Sequence, residues 1–358
     1  MTDLARTDIF YLVFFLMLAV YSCSSEHDGD SEYDVYVINN QEFGINPDRT
    51  NAVGTTDGIN AAIFKAKADG YLRIKLTAGE YLIQCADNGR WVPPTGGIFV
   101  PSDITLDLTG AKIYLEPNDD EYYGVIQLDH VKNVTIIGGH LIGDRHQHLY
   151  VGESSHEFGF GVNMYSSENI ILKDMTIEAM TGDAIHMGDY GFVKASEETL
   201  CKHIRITGCE FFDCRRQGVS VVHASDVEID HNTIYNIHGT DPQFGIDIEP
   251  EVAYGRWVDD VKIHHNTIRN CVGGISFHGG TDMEAYENQL DGICLIAVYS
   301  QRVHIYKNTV TSPGYISAGK GSVQRPCQDI CIPITGELKN NCKTVVNGSI
   351  QTGNFSCD

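Results

Sequence analysis

The chain predicts an all-β solenoid, a parallel β-helix in one domain, and three observations carry that expectation. First, a short segment recurs: NVTIIGGHLIG from Asn133, NIILKDMTIEA from Asn169, HIRITGCEFFD from His203, DVEIDHNTIYN from Asp226, DVKIHHNTIRN from Asp260 and RVHIYKNTVTS from Arg302, with a degenerate copy at Asp282. The matching positions Val134, Ile170, Ile204, Val227, Val261, Met283 and Val303 lie 36, 34, 23, 34, 22 and 20 residues apart. Units of this length, with insertions of about ten residues, suit coils that carry loops on one side. Second, each copy alternates apolar and polar residues, the period of a half-buried strand. Third, second strands lie between the copies (GVNMY from Gly161, AIHMG from Ala184, GVSVV from Gly218, GIDIE from Gly245, GISFH from Gly274), and no stretch there reads as a long amphipathic helix.

Taking the elements in order, residues 9–20 form an apolar run of twelve, too short to span a bilayer as a helix and suited to the h-region of an export signal. The run ends in Val20-Tyr21-Ser22-Cys23, which resembles the lipobox of bacterial lipoproteins; the following SSEHDGDSEYD resembles the acidic tether of surface lipoproteins in Bacteroides-like bacteria. That resemblance implies a signal peptide over 1–22, lipidation at Cys23, a tether over 23–42, and an outer-membrane protein that meets the membrane only through its lipid. An ordinary cleaved signal or an uncleaved anchor is the alternative.

Next comes residues 43–83, FGINPDRTNAVGTTDGINAAIFKAKADGYLRIKLTAGEYLI. Asp57-Gly58 opens a short helix over 59–68, and Ala78-Gly79-Glu80-Tyr81 supplies a turn into a strand. This segment resembles the opening of pectate-lyase-like proteins, a superfamily that includes polygalacturonases and phage tailspikes. The resemblance covers 43–314. It implies a right-handed helix with the short α-helix capping an edge that would otherwise aggregate. Residues 315–358 hold Cys327, Cys331, Cys342 and Cys357, which read as one or two disulfides of a C-terminal cap in an oxidising compartment. Cys209, Cys214, Cys271 and Cys294 read as buried small hydrophobes. Asn232, Asn266, Asn288 and Asn308 occupy the same turn in four coils and read as a stacked amide ladder; His231, His264 and His265 read as turn residues beside it.

Charge narrows the function. Acidic residues outnumber basic ones 48 to 25, for a net −23. Such a chain lacks the basic face that nucleic acid requires. Aligning the second strands turns Val162, Ile185, Val219, Ile246 and Ile275 inward and leaves an outward column of Asn163, His186, Ser220, Asp247 and Ser276. Beside it run Tyr165, Gly188, Val222, Glu249 and His278. Asp247 and Glu249 are then exposed neighbours about 7 Å apart, in the range of two carboxylates that hydrolyse a glycosidic bond with inversion. Asp183, His186 and Arg216 complete the catalytic set. One of Arg215 and Arg216 is functional and the other structural. Loops supply Arg145, His146, His156, Glu157, Tyr254 and Trp257, which together with Asn163, Tyr165, Arg215 and His278 form the expected substrate walls.

Set against the polygalacturonase pattern, only Asp183 carries over: the coil reads Gly182-Asp183-Ala184, with one Asp where that family has two. The preceding coil has Asn163, and Gln217-Gly218 has no His. The leading reading is a surface polysaccharide hydrolase that requires no cofactor. Its alternatives are a polysaccharide lyase, with Ca²⁺ on Asp183, Asp247 and Glu249 and with Arg216 or His186 as base, and a non-catalytic glycan-binding module. Oligomeric state is open.

Overall fold

A coil must turn three corners to close, and a residue in the left-handed region stands at each one. At the first are Asn133, Asn169, Asp226, Asp260 and Asp282 (φ 50 to 56°), immediately before the inward residues of the recurring segment. At the second are Gly208, His231, His265, Glu287 and Lys307, and at the third Ala179, Asp213, Asn236, Asn270 and Gly292. Asn, Asp and Gly tolerate this conformation best, which accounts for their recurrence. His231 and His265 thus stand at corners, as turn residues.

In the computed structural model, residues 35–85, 96–189 and 195–311 are described, with the backbone of 315–319, 343–346 and 349–351. Each coil carries three strands rather than the minimum of two read from sequence. The coil around Val227, for example, runs Ala224–Asp230, Thr233–Tyr235 and Phe244–Ile248. Among the described residues the strands stack into sheets of ten, nine and eleven, here called the repeat, turn and site sheets. All pairings are parallel except the final hairpin of Lys343–Val346 and Ser349–Gln351.

The register follows the sequence alignment. Val134, Ile170, Ile204, Val227, Val261, Met283 and Val303 pair in succession, and all are at most 2% exposed. A fully buried aliphatic side chain contributes about 1.5–3 kcal/mol, so a one-residue slip, which would turn this column to solvent, is strongly disfavoured. In the site sheet Val162, Ile185, Val219, Ile246 and Ile275 form the matching inner column. The small residues before them have a packing reason: a Cβ on Gly161, Gly218 or Gly245 would lie 2.6–2.8 Å from Ile177, Ile234 or Ile268 of the turn sheet. The four asparagines stack as a ladder, Nδ2 to Oδ1, at 2.9–3.0 Å from Asn232 through Asn308.

Two boundaries differ from expectation. Val35–Val37 pairs with Arg73–Lys75, so the solenoid begins inside the segment read as a tether. The helix spans Ala52–Ala68, capped by Asn51, whose side chain accepts from the Gly54 amide. Asp57 and Gly58 are therefore internal, and Gly58 is small because a Cβ would lie 2.3 Å from the Phe43 carbonyl. The helix buries Ile59, Ala62, Ile63 and Ala66, the spacing of one helical face, and packs on the end strands of the turn and site sheets. At the other end Tyr315–Gly319 and Lys343–Val346 extend the site sheet past residue 314. Cys23 and the four C-terminal cysteines lie outside the described residues.

Candidate active site

The outward column of the site sheet is Gln127, Asn163, His186, Ser220, Asp247 and Ser276, in register through consecutive coils. Its residues leave the core on the side expected, but the column is not open to water. Asn163, Ser220, Asp247 and Ser276 are each at most 4% exposed. Alternation decides which face a side chain leaves; it does not decide what covers that face. Here the covering side chains include Arg216 and Glu249, and the expected exposed Asp247/Glu249 pair is corrected to a roofed cluster.

Arg216 organises that cluster. Its Nη1 donates to Asp183 Oδ2 (2.9 Å) and Ser220 Oγ (3.2 Å), and its Nη2 donates to Glu249 Oε1 (2.7 Å). The same Glu249 oxygen accepts from Gln217 Nε2 (2.7 Å) and Ser220 Oγ (2.9 Å). Three donors thus converge on one carboxylate oxygen. Asp183 is fully buried: burial drives its carboxyl up to about 7, with Arg216 opposing and Glu249 adding to the rise. Burial likewise holds the Asp247 carboxyl well above the usual carboxylate range, reinforced by Glu249 and opposed by Ser276. Burial thus favours the proton-bearing form of Asp183 and Asp247, while Glu249 gathers three donors, an asymmetry that acid–base chemistry can use. The Arg216 guanidinium stays charged, since Asp183 and Glu249 more than offset its burial.

His186 is fixed from behind. Gln127 Nε2 donates to the Gly96 and Gly124 carbonyls, so its Oε1 accepts from Asn163 Nδ2 (3.1 Å). Asn163 Oδ1 then faces His186 Nδ1 (3.1 Å), which must carry the hydrogen, leaving the Nε2 lone pair. Burial, with Arg216 and Arg256, pushes the imidazole down to about 3, so it is neutral at physiological pH. Its ring stacks on Phe160 (4.5 Å) and meets Tyr165 edge-on (5.8 Å). Burial raises the Tyr165 phenol to about 12.

These groups line a cleft of ≈ 140 Å³ whose wall includes Tyr122, Glu157, Phe158, Phe160, Tyr165, His186, Asp189, Arg216, Glu249, Glu251 and Arg256. Tyr122 and Phe158 stack face to face at 4.7 Å. Of the sequence candidates, Glu157, Tyr165, His186, Arg216 and Glu249 line the cleft. Asn163, Asp183 and Asp247 stand behind the wall.

The others lie elsewhere. Arg145 donates to the Asp213 carboxylate and the His238 carbonyl, and His146 pairs with Asp213. His156 belongs to a buried relay in which Tyr123 meets Asp144 (2.9 Å), Asp144 meets His148 (2.8 Å) and His148 meets His156 (2.9 Å), ending on the Val151 carbonyl. Arg215 donates to the Ser155 and His156 carbonyls, away from the cleft that Arg216 lines. Trp257 packs edge-on against His223 at 4.4 Å, Tyr254 is exposed beside Arg256, and His278 stacks on Tyr299.

Arg256 shares the loop of Tyr254 and Trp257 that the sequence reads as a wall, and of the three it is the one that lines the cleft. It is 2% exposed and bonds Asp189 Oδ1 (2.5 Å) and Glu251, tying together the segments that follow two site strands. The Phe158-x-Phe160 alternation leading into GVNMY was a legible signal for the aromatic wall. The loop position of Arg256 is legible in the sequence; its pairing with Asp189, 67 residues away, is not.

The calcium expectation does not fit this cluster. A guanidinium bridges Asp183 and Glu249, so a hard cation held by these carboxylates would have to displace Arg216. Among the described residues, the carboxylate–imidazole group with ligand atoms within 4.8 Å of one another is Glu228, Asp230 and His264, on the repeat sheet. There Arg205 already grips Asp230 through two bonds (3.0 and 3.1 Å). Cys209 and Cys214 are buried, Cys271 is nearly so, and burial raises all three thiols to about 12, as inert packing groups.

Residues 124–310 match the family described as "Right handed beta helix region". The chain is 28% identical over 338 residues to the uncharacterized protein YclG of Bacillus subtilis (strain 168), covering 89% of this chain and 55% of that protein. It spans about half the length of the curated relatives it matches. Among solved structures, the A-module of mannuronan C-5 epimerase AlgE6 from Azotobacter vinelandii has a TM-score of 0.58 at 12% identity, covering 89% of this chain and 99% of that one. A tailspike double mutant of E. coli bacteriophage HK620 in complex with pentasaccharide has a TM-score of 0.59 at 13% identity, covering 88% and 65%. At these identities the likeness is one of fold. With three stacked parallel sheets and over half its length matched, the chain belongs to the right-handed beta helix family.

Proposed function

We propose that the cleft binds a polysaccharide and hydrolyses it, with Glu249 as the charged carboxylate and Asp183 as the proton donor. The observation that carries this reading is the single guanidinium of Arg216 bridging Glu249 and the buried Asp183, whose carboxyl burial pushes up to about 7, beside an aromatic wall. Tyr and Phe rings suit the C–H faces of sugars. The pentasaccharide bound by a tailspike and the mannuronan of an epimerase, on the same fold, point to glycans as ligands. In the reaction Asp183 gives its proton to the departing glycosidic oxygen as its bond to C1 breaks, while a water forms the new bond to C1 and gives its proton to Glu249 as base. Asp183 is buried, so this requires Arg216 to shift when substrate enters; catalytic contacts commonly tighten only in the complex.

A second reading is supported by the neutral His186. Its Nε2 lone pair is suited to accept a C5 proton from a uronate while Tyr165 protonates the leaving oxygen, which is lyase chemistry. Digestion of a glycan panel separates the two: new reducing ends without ultraviolet absorbance of an unsaturated sugar support hydrolysis, and that absorbance supports elimination. Silence across the panel would leave the binding module. We also place the protein outside the cytoplasm on the strength of residues 9–20 and Cys23. Metabolic labelling with a radiolabelled fatty acid, lost in Cys23→Ala, tests the lipid anchor.

A further inference from the structure

The described charges of the cleft wall are unequal. Glu157, Asp189, Glu249 and Glu251 face two guanidinium groups, Arg216 and Arg256. Both arginines are already engaged. Arg216 bridges Asp183 and Glu249, and Arg256 bridges Asp189 and Glu251. An incoming carboxylate would have to take a guanidinium from one of these acids, leaving a partly buried anion without its partner, and the cost of breaking such a pair is severe. The imidazole at the centre of the wall adds no positive charge, because burial keeps His186 neutral. The whole chain at −23 repels polyanions at long range as well. The aromatic row of Tyr122, Phe158, Phe160 and Tyr165 makes no demand on substrate charge.

We infer that the cleft selects glycans without carboxylate groups, either neutral or bearing free amines, and discriminates against polyuronates. This rests on the glycan reading above and narrows its substrate class. It also departs from the mannuronan of the epimerase that shares the fold.

The test is a glycan array carrying neutral, amino and uronic oligosaccharides, probed with the full chain at low and high salt, with calcium present or chelated. Binding confined to neutral or amino sugars is the expected result, with amino-sugar binding weakened by salt. Uronates among the strongest binders, with or without calcium, would overturn the inference and leave the glycan reading intact. No binding anywhere on the array would overturn both. The Glu157→Gln variant, which removes one wall charge outside the Arg216 cluster, should weaken amino-sugar binding about fivefold at low salt, the effect of one partly screened charge at close range. No change in that variant would likewise count against electrostatic selection.

Discussion

Two columns of stacked polar side chains run along this solenoid, and they are built on opposite terms. The asparagine ladder is uniform: each Oδ1 accepts from the preceding coil, from both the backbone amide and Nδ2 where that coil also carries an asparagine, and each Nδ2 also reaches a backbone carbonyl one coil back, as Asn266 does with Asn232, Asn288 and Ile229. Every coil repeats what the last one needs, so four amides are buried with their polar atoms satisfied. The site column, Gln127 to Ser276, changes residue at every coil. Behind its roof, among the described residues, Asp183 Oδ1, Gln217 Oε1 and Asp247 Oδ1 take no hydrogen bond. Repetition satisfies polar groups at little cost, whereas a column that departs from it leaves buried polar atoms unpaired, and function is a common reason for keeping that.

The sharpest test of the comparison is Glu249→Gln. The amide oxygen keeps acceptor geometry toward Arg216 and Ser220 but loses the charge. We expect cleavage per folded molecule to fall on the order of 10²–10⁴-fold, with the unfolding midpoint also lowered because the buried Arg216 loses a charged partner, measured by reducing-end release and calorimetry. An active variant would remove Glu249 from the chemistry.

The ladder should respond in the opposite sense. Asn266→Leu removes an acceptor from the Asn232 amide and donors from the Ile229 carbonyl and Asn288 Oδ1, all buried. At about 1–3 kcal/mol for each orphaned group, partly relieved by relaxation, destabilisation of about 3–5 kcal/mol is expected. Activity per folded molecule should stay within twofold. Urea unfolding paired with active-site titration checks this, and an undiminished midpoint would mean that the ladder is ornament.

The two columns were not equally legible in the sequence. The ladder, the inner columns and the coil register were readable because they repeat: Val134, Ile170, Ile204 and their successors announce one another at each turn. The site was readable only where it shares that repeat, as with His186 in line with Asn163 and Ser220. What covers the sheet was not readable, because roof contacts join residues far apart in sequence: Arg145 reaches Asp213 across 68 positions and Arg256 reaches Asp189 across 67. Periodicity therefore placed Asp247 on the correct face and in the wrong environment. The third strand of each coil was missed because three residues, such as Thr233–Tyr235, are too few to show a period.

Protonation sharpens the contrast further. Asp183 keeps its proton to about pH 7 in the folded state, whereas the unfolded chain releases it near 4. The native state therefore holds more protons over that window, and stability contributed by Asp183 is lost as pH rises from about 4 to 7. His186 works in the opposite direction: neutral down to about pH 3 when folded but protonated below about 6.5 when unfolded, it makes stability rise with pH over that interval. Asp247, whose carboxyl burial also raises, adds to the falling slope that His186 opposes. Relative to the native profile, Asp183→Asn should therefore shift the slope upward between pH 4 and 7, and His186→Gln should shift it downward between 3 and 6.5, both read from urea midpoints. With Asp183 as acid, cleavage by the native enzyme should also decline as pH passes about 7. Unaltered slopes in both variants would contradict the buried protonation states.

The smallest expected effect separates two neighbours in sequence, Arg215 and Arg216. Arg216 reaches into the cleft, and Arg216→Ala should abolish activity by releasing Glu249 and Asp183 together. Arg215 turns the other way, donating to the Ser155 and His156 carbonyls with its guanidinium over the Tyr150 ring at 4.8 Å. The loop it holds carries exposed Leu149, Tyr150 and Val151, and ends at Glu157 and Phe158 in the cleft wall. Beneath it the relay from Tyr123 through Asp144, His148 and His156 remains in Arg215→Ala. Losing the outer fastening should therefore cost only about 1 kcal/mol, the net worth of a typical hydrogen bond. That is enough to raise proteolysis within residues 149–155 several-fold and to raise KM modestly, with kcat unchanged. If Arg215→Ala instead extinguishes kcat while Arg216→Ala spares it, the two roles are reversed, and the cluster around Glu249 is scaffolding like the asparagine ladder.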